Sequence, residues 1–159
     1  MKLPRKAYMT FIDASFGGET PSWFLIGKDV EDMSVELNSQ TEQNTNILDE
    51  TTTTDKGYTP SISVDTYKAD PDDGQFYTKM KDIMMNRLTG DACKTKLLEV
   101  IVEDTEATSH SAWVEDVLVK PTSYGGVTGS IQIPYNISFD GNRKSGSVTL
   151  AGKVPTFTE

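Results

Sequence analysis

A mainly β domain, a sandwich or barrel with one helix laid across a side, is what these 159 residues predict. Three observations carry that reading. Several stretches alternate apolar and polar residues at the two-residue period of a strand. One segment alone repeats apolar residues at helical spacing. Turn-forming dipeptides punctuate the chain between these stretches, as they do in strand-rich folds.

Taken in order, residues 1–20 mix basic residues, the aromatics Tyr8, Phe11 and Phe16, and Gly17-Gly18, which predicts an extended arm. "WFLIGKDV" reads as a strand bent or bulged at Gly27. In "DMSVELN", Met33, Val35 and Leu37 alternate against Ser34, Glu36 and Asn38, a half-buried strand. A polar stretch follows, residues 38–57, rich in Thr, Asn and Gln, with Ile47-Leu48 its one apolar pair. Long structureless loops are uncommon in compact domains and those that persist are usually functional or disordered. Alternation returns in "PSISVDTY", with Ile62 and Val64 on one face.

The helix is expected over residues 72–89, where Phe76, Met80, Ile83, Met84 and Leu88 form one stripe. Asp72 or Asp73 suits its start, and Gly90 the left-handed position after its end. "KLLEVIVED" is an apolar-rich strand. "SAWVEDVLVK" puts Trp113, Val117 and Val119 on one face with Glu115 among them, and Val114 and Leu118 on the other beside Asp116. The cleanest alternation is Ile131, Ile133, Tyr135, Ile137 and Phe139; with "DGN" after it and Val148 and Leu150 beyond, it predicts a hairpin. Pro134 places an edge or bulge in its first strand.

With 36% hydrophobic and 25% charged residues the chain is ordinary globular material, and its length suits one domain spanning 1–159. The basic start has no apolar core or cleavage site, so no secretory signal is expected. Nor does any apolar run reach membrane-span length. The formal net charge of −9 opposes non-specific binding of nucleic acid, which needs Lys and Arg to neutralise phosphates.

Catalytic chemistry finds little support. His110 is the single histidine and sits in a polar stretch; Cys93 is the single cysteine, which rules out an internal disulfide and suits a small buried hydrophobe. There is no phosphate loop, dinucleotide fingerprint or zinc cluster. The acids from Asp70 resemble a calcium loop only superficially: its sixth position is Gln75 and its twelfth Lys81. Asn136-Ile137-Ser138 is a formal glycosylation sequon in the middle of a predicted strand. The carboxylate pairs Glu31-Asp32, Asp72-Asp73, Glu103-Asp104 and Glu115-Asp116 read as a solvated acidic face rather than acid–base machinery. No enzyme, cofactor or metal is expected.

The sequence resembles the major tail tube proteins of tailed phages and prophages, of the kind common in Gram-positive hosts. The likeness rests on "FLIGKDVEDMSVELN", on "YTPSISVDTYKADPDDGQFYTKMKDIMMNRLTGDACKTK", and on "SYGGVTGSIQIPYNISFDGNR" with the closing "GSVTLAGKVPTFT". It implies two packed β-sheets with a flanking helix, and hexameric rings stacked into a hollow tube that conducts DNA. It implies as partners other copies of the chain and further tail proteins: tape measure, tail terminator, distal tail protein and, where one is present, a sheath. DNA would pass without tight binding, and no membrane is involved.

The resemblance also assigns work to the polar stretch. Residues 38–57, the arm 1–20 and the segment 153–159 would bridge subunits and successive rings, through Tyr8, Phe11, Phe16, Glu42, Ile47, Leu48, Thr51, Thr52, Thr53, Thr54, Val154 and Phe157. Low hydrophobicity suggests that the loop is disordered in the free subunit and ordered in the tube. Six subunits at −9 each make −54 per ring, and an acidic channel wall would repel phosphates. Candidates for that wall are Asp116, Gln132, Asn136, Ser138 and Asp140. Two other readings stand beside this one: the tube of a phage-like bacteriocin or secretion particle, and a surface carbohydrate-binding sandwich that uses Trp23 or Trp113.

Overall fold

The computed structural model describes residues 2–159; Met1, the first residue of the expected arm, lies outside them. The described strands are β1 (Tyr8–Asp13), β2 (Trp23–Ile26), β3 (Val35–Glu36), β4 (Ser39–Thr45), β5 (Thr51–Tyr58), β6 (Ser61–Val64), β7 (Lys94–Ile101), β8 (His110–Pro121), β9 (Tyr135–Ala151) and β10 (Val154–Thr158). A helix, α1 (Gln75–Asn86), falls between β6 and β7. One antiparallel sheet runs β2-β1-β7-β8-β9-β6-β3, with β10 added to the far half of β9, and it curls into a half-barrel. The small second sheet is β4 paired with β5. The mainly β class with one flanking helix is as the sequence predicts.

Each face of the curled sheet carries a core, because consecutive residues of a strand point to opposite sides. On one face Ile12, Leu97, Val117, Val119, Tyr135 and Ile137 pack under the helical residues Phe76 and Met80. Phe76 stacks on Phe24 at 4.2 Å between ring centres and meets Tyr67 and Tyr135 edge-on. On the other face Phe11, Leu98, Val100, Ala112 and Val148 are closed over by Leu150 and Phe157. There β10 lies tight against Gly146, where a Cβ would collide with the Thr158 carbonyl and the Phe157 ring.

This double burial corrects the expected arm. Residues 8–13 are a central strand, with Phe11 opposite both Leu25 of β2 and Leu98 of β7. A strand buried on both sides shows no alternation, so the segment hides its strand character.

The helix is shorter than expected. Pro71–Asp73 forms a 3-10 turn capped by Asp70, whose carboxylate accepts from the Asp72 amide at 2.9 Å. The side-chain cap is thus Asp70, two residues before Asp72 and three before Asp73, and it serves the 3-10 turn; the helix itself begins after Gly74 without a side-chain cap. At the far end Arg87 is the left-handed C-cap (φ 50°), and Gly90, also at positive φ (65°), opens the 3-10 turn that follows. Phe76, Met80 and Ile83 are buried as the stripe requires.

Two further expectations change. The hairpin expected at "DGN" is one continuous strand: β9 passes through Gly141 and Asn142, both at positive φ, with a register shift against β8. The real turn is at Gly152, where β9 reverses into β10. Turn chemistry therefore marks a bulge here, the other use of positive φ in a strand. Upstream, Ile133 is buried but Ile131 is exposed, and the strand starts only after Pro134.

Candidate functional site

The stretch 38–57 is not a disordered loop but a formed hairpin. Its strands pair from Ser39–Tyr58 to Thr45–Thr51, and each is solvent-exposed along nearly its whole length. Threonine is a strong strand former. With no buried face the run shows no apolar alternation, which is why its sequence reads as a loop. Asn38 (φ 49°) and Gly57 (φ 93°) turn the chain where the hairpin leaves the domain. Glu42 pairs with Lys56 across the strands at 2.6 Å, and Thr51–Thr54 fill half of β5.

At the tip, Asn46 holds a compact turn. Its Oδ1 accepts from the amides of Leu48 and Glu50 at 2.9 and 3.0 Å, and its own amide donates to the Glu50 carbonyl. The turn presents Ile47, 99% exposed, and Leu48, 71% exposed. Large apolar side chains so open to water are a liability unless something covers them.

The other residues expected to act in assembly are placed differently. Phe11 is core, and Tyr8 is half-buried with its hydroxyl donating to Glu99. Phe16 is half-buried against the main core, with Lys79 over its ring at 6.0 Å. Val154 is exposed at the start of β10, whereas Phe157 packs on the second core.

Glu115, expected on a solvated acidic face, is instead nearly buried in a charged cluster with Glu99 and Arg143. Glu99 of β7 and Glu115 of β8 are nearly buried diagonal neighbours on the paired strands, Glu99 opposite Trp113 and Glu115 opposite Leu97. Arg143 of β9 donates to both, at 2.8 and 2.9 Å, and its guanidinium lies 5.8 Å from the Trp113 ring centre. The Gly141 amide donates to the second oxygen of Glu115 at 3.2 Å, so the β9 bulge also serves this cluster. Burial works against the Arg143 charge, but the bonds to Glu99 and Glu115 outweigh it and hold its pKa above the ordinary guanidinium value. Burial, followed by the Glu99 charge and hydrogen bond, raises the Tyr8 phenol well above its usual range. The signal was present in the sequence as Glu115 among Trp113, Val117 and Val119.

Above this cluster opens a groove of about 610 Å³ at the foot of the hairpin. Its apolar wall is Tyr8, Met33, Leu37, Tyr58 and Phe139, with Arg5 and Arg143 in the lining. A second groove of about 460 Å³ shares Arg5, Tyr8 and Met33 and adds Lys6 and Lys153. Arg5 donates to the carbonyls of Tyr8 and Met33 and lies over the Tyr8 ring, with no carboxylate partner among the described residues.

Four of the five wall candidates share a sheet face. Asp116, Asn136, Ser138 and Asp140 project from β8 and β9 on the side opposite the helix, where Ser63 faces Asn136 and Ser61 faces Ser138. Gln132 lies apart, bridged to Gly125 and Lys68. That face is balanced rather than acidic: Lys96 sits opposite Asp116, and Lys94 lies 3.8 Å from Asp140. His110 opens β8, and Cys93 is buried with its thiol on the Leu88 carbonyl. Among the described residues no group of three or more metal-binding side chains converges, and no helix is long and apolar enough to cross a membrane.

No protein-family model and no curated protein sequence matches the chain. Solved structures do. The sheath/tube terminator of an extracellular contractile injection system, PVC, in its extended state, superposes with a TM-score of 0.55 at 9% identity, over 91% of this chain and 96% of that one. The tube-terminating cap of the anti-feeding prophage gives 0.53 at 12% identity, over 94% and 93%. The tail of an empty GTA particle, obtained by helical refinement with C6 symmetry, gives 0.57 at 12% identity, over 99% and 100%. At such identities the likeness is one of fold, and it extends over nearly the whole chain.

Proposed function

We propose that this chain is a structural subunit of a phage-tail-like particle, forming six-membered rings that stack into a hollow tube through which DNA passes. The observation that carries the reading is the end-to-end likeness of fold to a C6-symmetric tail and to two tube-ending components of phage-like particles. The exposed hairpin supports it, since it serves no core and offers an apolar tip to a neighbour. Other copies of the chain are the principal partners; tape measure, terminator, distal tail and sheath proteins are the further ones, in a particle tail.

The uncovered polar face of β6, β8 and β9 is the best candidate for the channel wall. It is not the acidic surface the net charge suggested. Lys94 on this wall is held by Asp140 and Asp91, so part of its positive charge is already neutralised and it grips DNA phosphates less, which favours sliding. Assembled material should therefore bind labelled duplex, at near-physiological salt, more weakly than about 10⁻⁶ M, the tight end of ordinary non-specific binding. Fluorescence anisotropy measures this, and clearly tighter binding contradicts conduction through a non-stick channel.

A second reading has a specific observation behind it. Two of the structures described above are a terminator and a cap, which end tubes rather than extend them. Sedimentation velocity of concentrated protein separates the two. A tube subunit passes through a ring of six 17.5 kDa chains to a growing series of larger species, whereas a terminator stops at the single ring. A chain that stays monomeric contradicts both.

A further inference from the structure

We propose that the groove at the foot of the hairpin is the seat for the hairpin tip of a second copy of this chain. The inference rests on the assembly reading above and supplies the contact that joins one copy to the next.

The two surfaces match in three respects. The tip is an apolar knob, Ile47 and Leu48, already held by the Asn46 turn, so little ordering is lost when it docks. The groove is an apolar slot with its walls still in water: Leu37 is 55% and Tyr58 61% exposed. Charge is complementary as well. The hairpin carries Glu42, Asp49, Glu50 and Asp55 against Lys56 alone, and Lys56 is spent on Glu42. Asp49 and Glu50 adjoin the apolar pair. Arg5 lines the groove, whose acids Glu99 and Glu115 are already held by Arg143. Lys6 and Lys153, with Glu31, line the second groove, which shares Arg5, Tyr8 and Met33 with it.

The tip cannot fill its own groove. Leu37 and Tyr58, at the hairpin's base, are part of the wall, and the seven residues of β4 carry the tip roughly 23 Å away at about 3.3 Å per residue. The occupant must come from another molecule. A knob and slot at different places on one chain give a head-to-tail contact, which closes into a ring or runs on as a stack.

The test is a variant with Leu48→Cys and Leu37→Cys, concentrated and oxidised, run on a non-reducing gel. The native Cys93 is buried and does not compete. A ladder of disulfide-linked multimers, absent from either single variant, is the expected result. Assemblies that form without a ladder overturn the seat but leave the assembly reading standing. A disulfide within one chain overturns the seat as well, since it puts the tip in its own groove. A parent chain that never self-associates overturns both. As an independent arm, Asp49→Lys with Glu50→Lys should raise the concentration needed for assembly roughly tenfold, and adding Lys6→Glu with Lys153→Glu should restore most of it. No change on reversing the tip charges counts against the proposal.

Discussion

Replacing residues 42–56 with a short Gly/Ser linker is expected to abolish tube formation while leaving a soluble subunit that melts close to the parent temperature. The two halves of this expectation have separate causes. β4 and β5 hydrogen-bond to each other and to no strand of the main sheet, and none of their residues enters either core. Removing them takes away no packing, and changing the length of a flexible connection alters closure entropy by only about 0.6 kcal/mol per doubling. Assembly, in contrast, loses Ile47, Leu48 and the acids beside them, the surface argued above to join one copy to the next. Electron microscopy and a thermal melt of the same preparation check both halves. Normal tubes from the variant would make the hairpin ornamental, and a collapsed melting temperature would make it part of the fold.

Arg143→Ala is expected to do the reverse, damaging the subunit itself. It leaves the neighbouring Glu99 and Glu115, nearly buried, without their shared cation. Breaking a buried ion pair from one side costs about 3–5 kcal/mol, because a charge is left without compensation. The Arg143 side chain is itself 42% exposed, and water screens part of its interaction, so the lower end of that range applies. For a domain of this size, about 3 kcal/mol corresponds to a melting temperature roughly 6–12 °C lower. Converting all three residues together, Glu99→Leu, Glu115→Leu and Arg143→Met, should recover much of the loss, since a well-packed apolar trio needs no counter-charge. A single variant as stable as the parent would show that solvent already balances the carboxylates.

Features with a one-sided burial pattern were legible in the sequence. The stripe of Phe76, Met80 and Ile83 located the helix, and Ile62 with Val64, or Val117 with Val119, located strands and the face they bury. Features buried on both sides or on neither were not. β1 carries Phe11 to one core and Ile12 to the other, so its period vanishes; β5 buries nothing, so its period never appears. The positive-φ residues at Gly141 and Asn142 have the chemistry of a turn, and only their pairing with β8 makes them a bulge. Of the candidate site, the tip pair Ile47-Leu48 was visible as the one apolar interruption of a polar run. The groove was not, because Tyr8, Met33, Tyr58 and Phe139 come together only in the folded chain.

The central claim is that this chain polymerises through six-fold rings. Negative-stain electron microscopy of the purified, concentrated protein tests it most directly, since rotational symmetry and stacking are both visible in one image. Hollow tubes whose end-on views average to six-fold rings are predicted. Uniform monomers at every concentration, above all monomers that bind glycans through Trp23 or Trp113, would contradict the account.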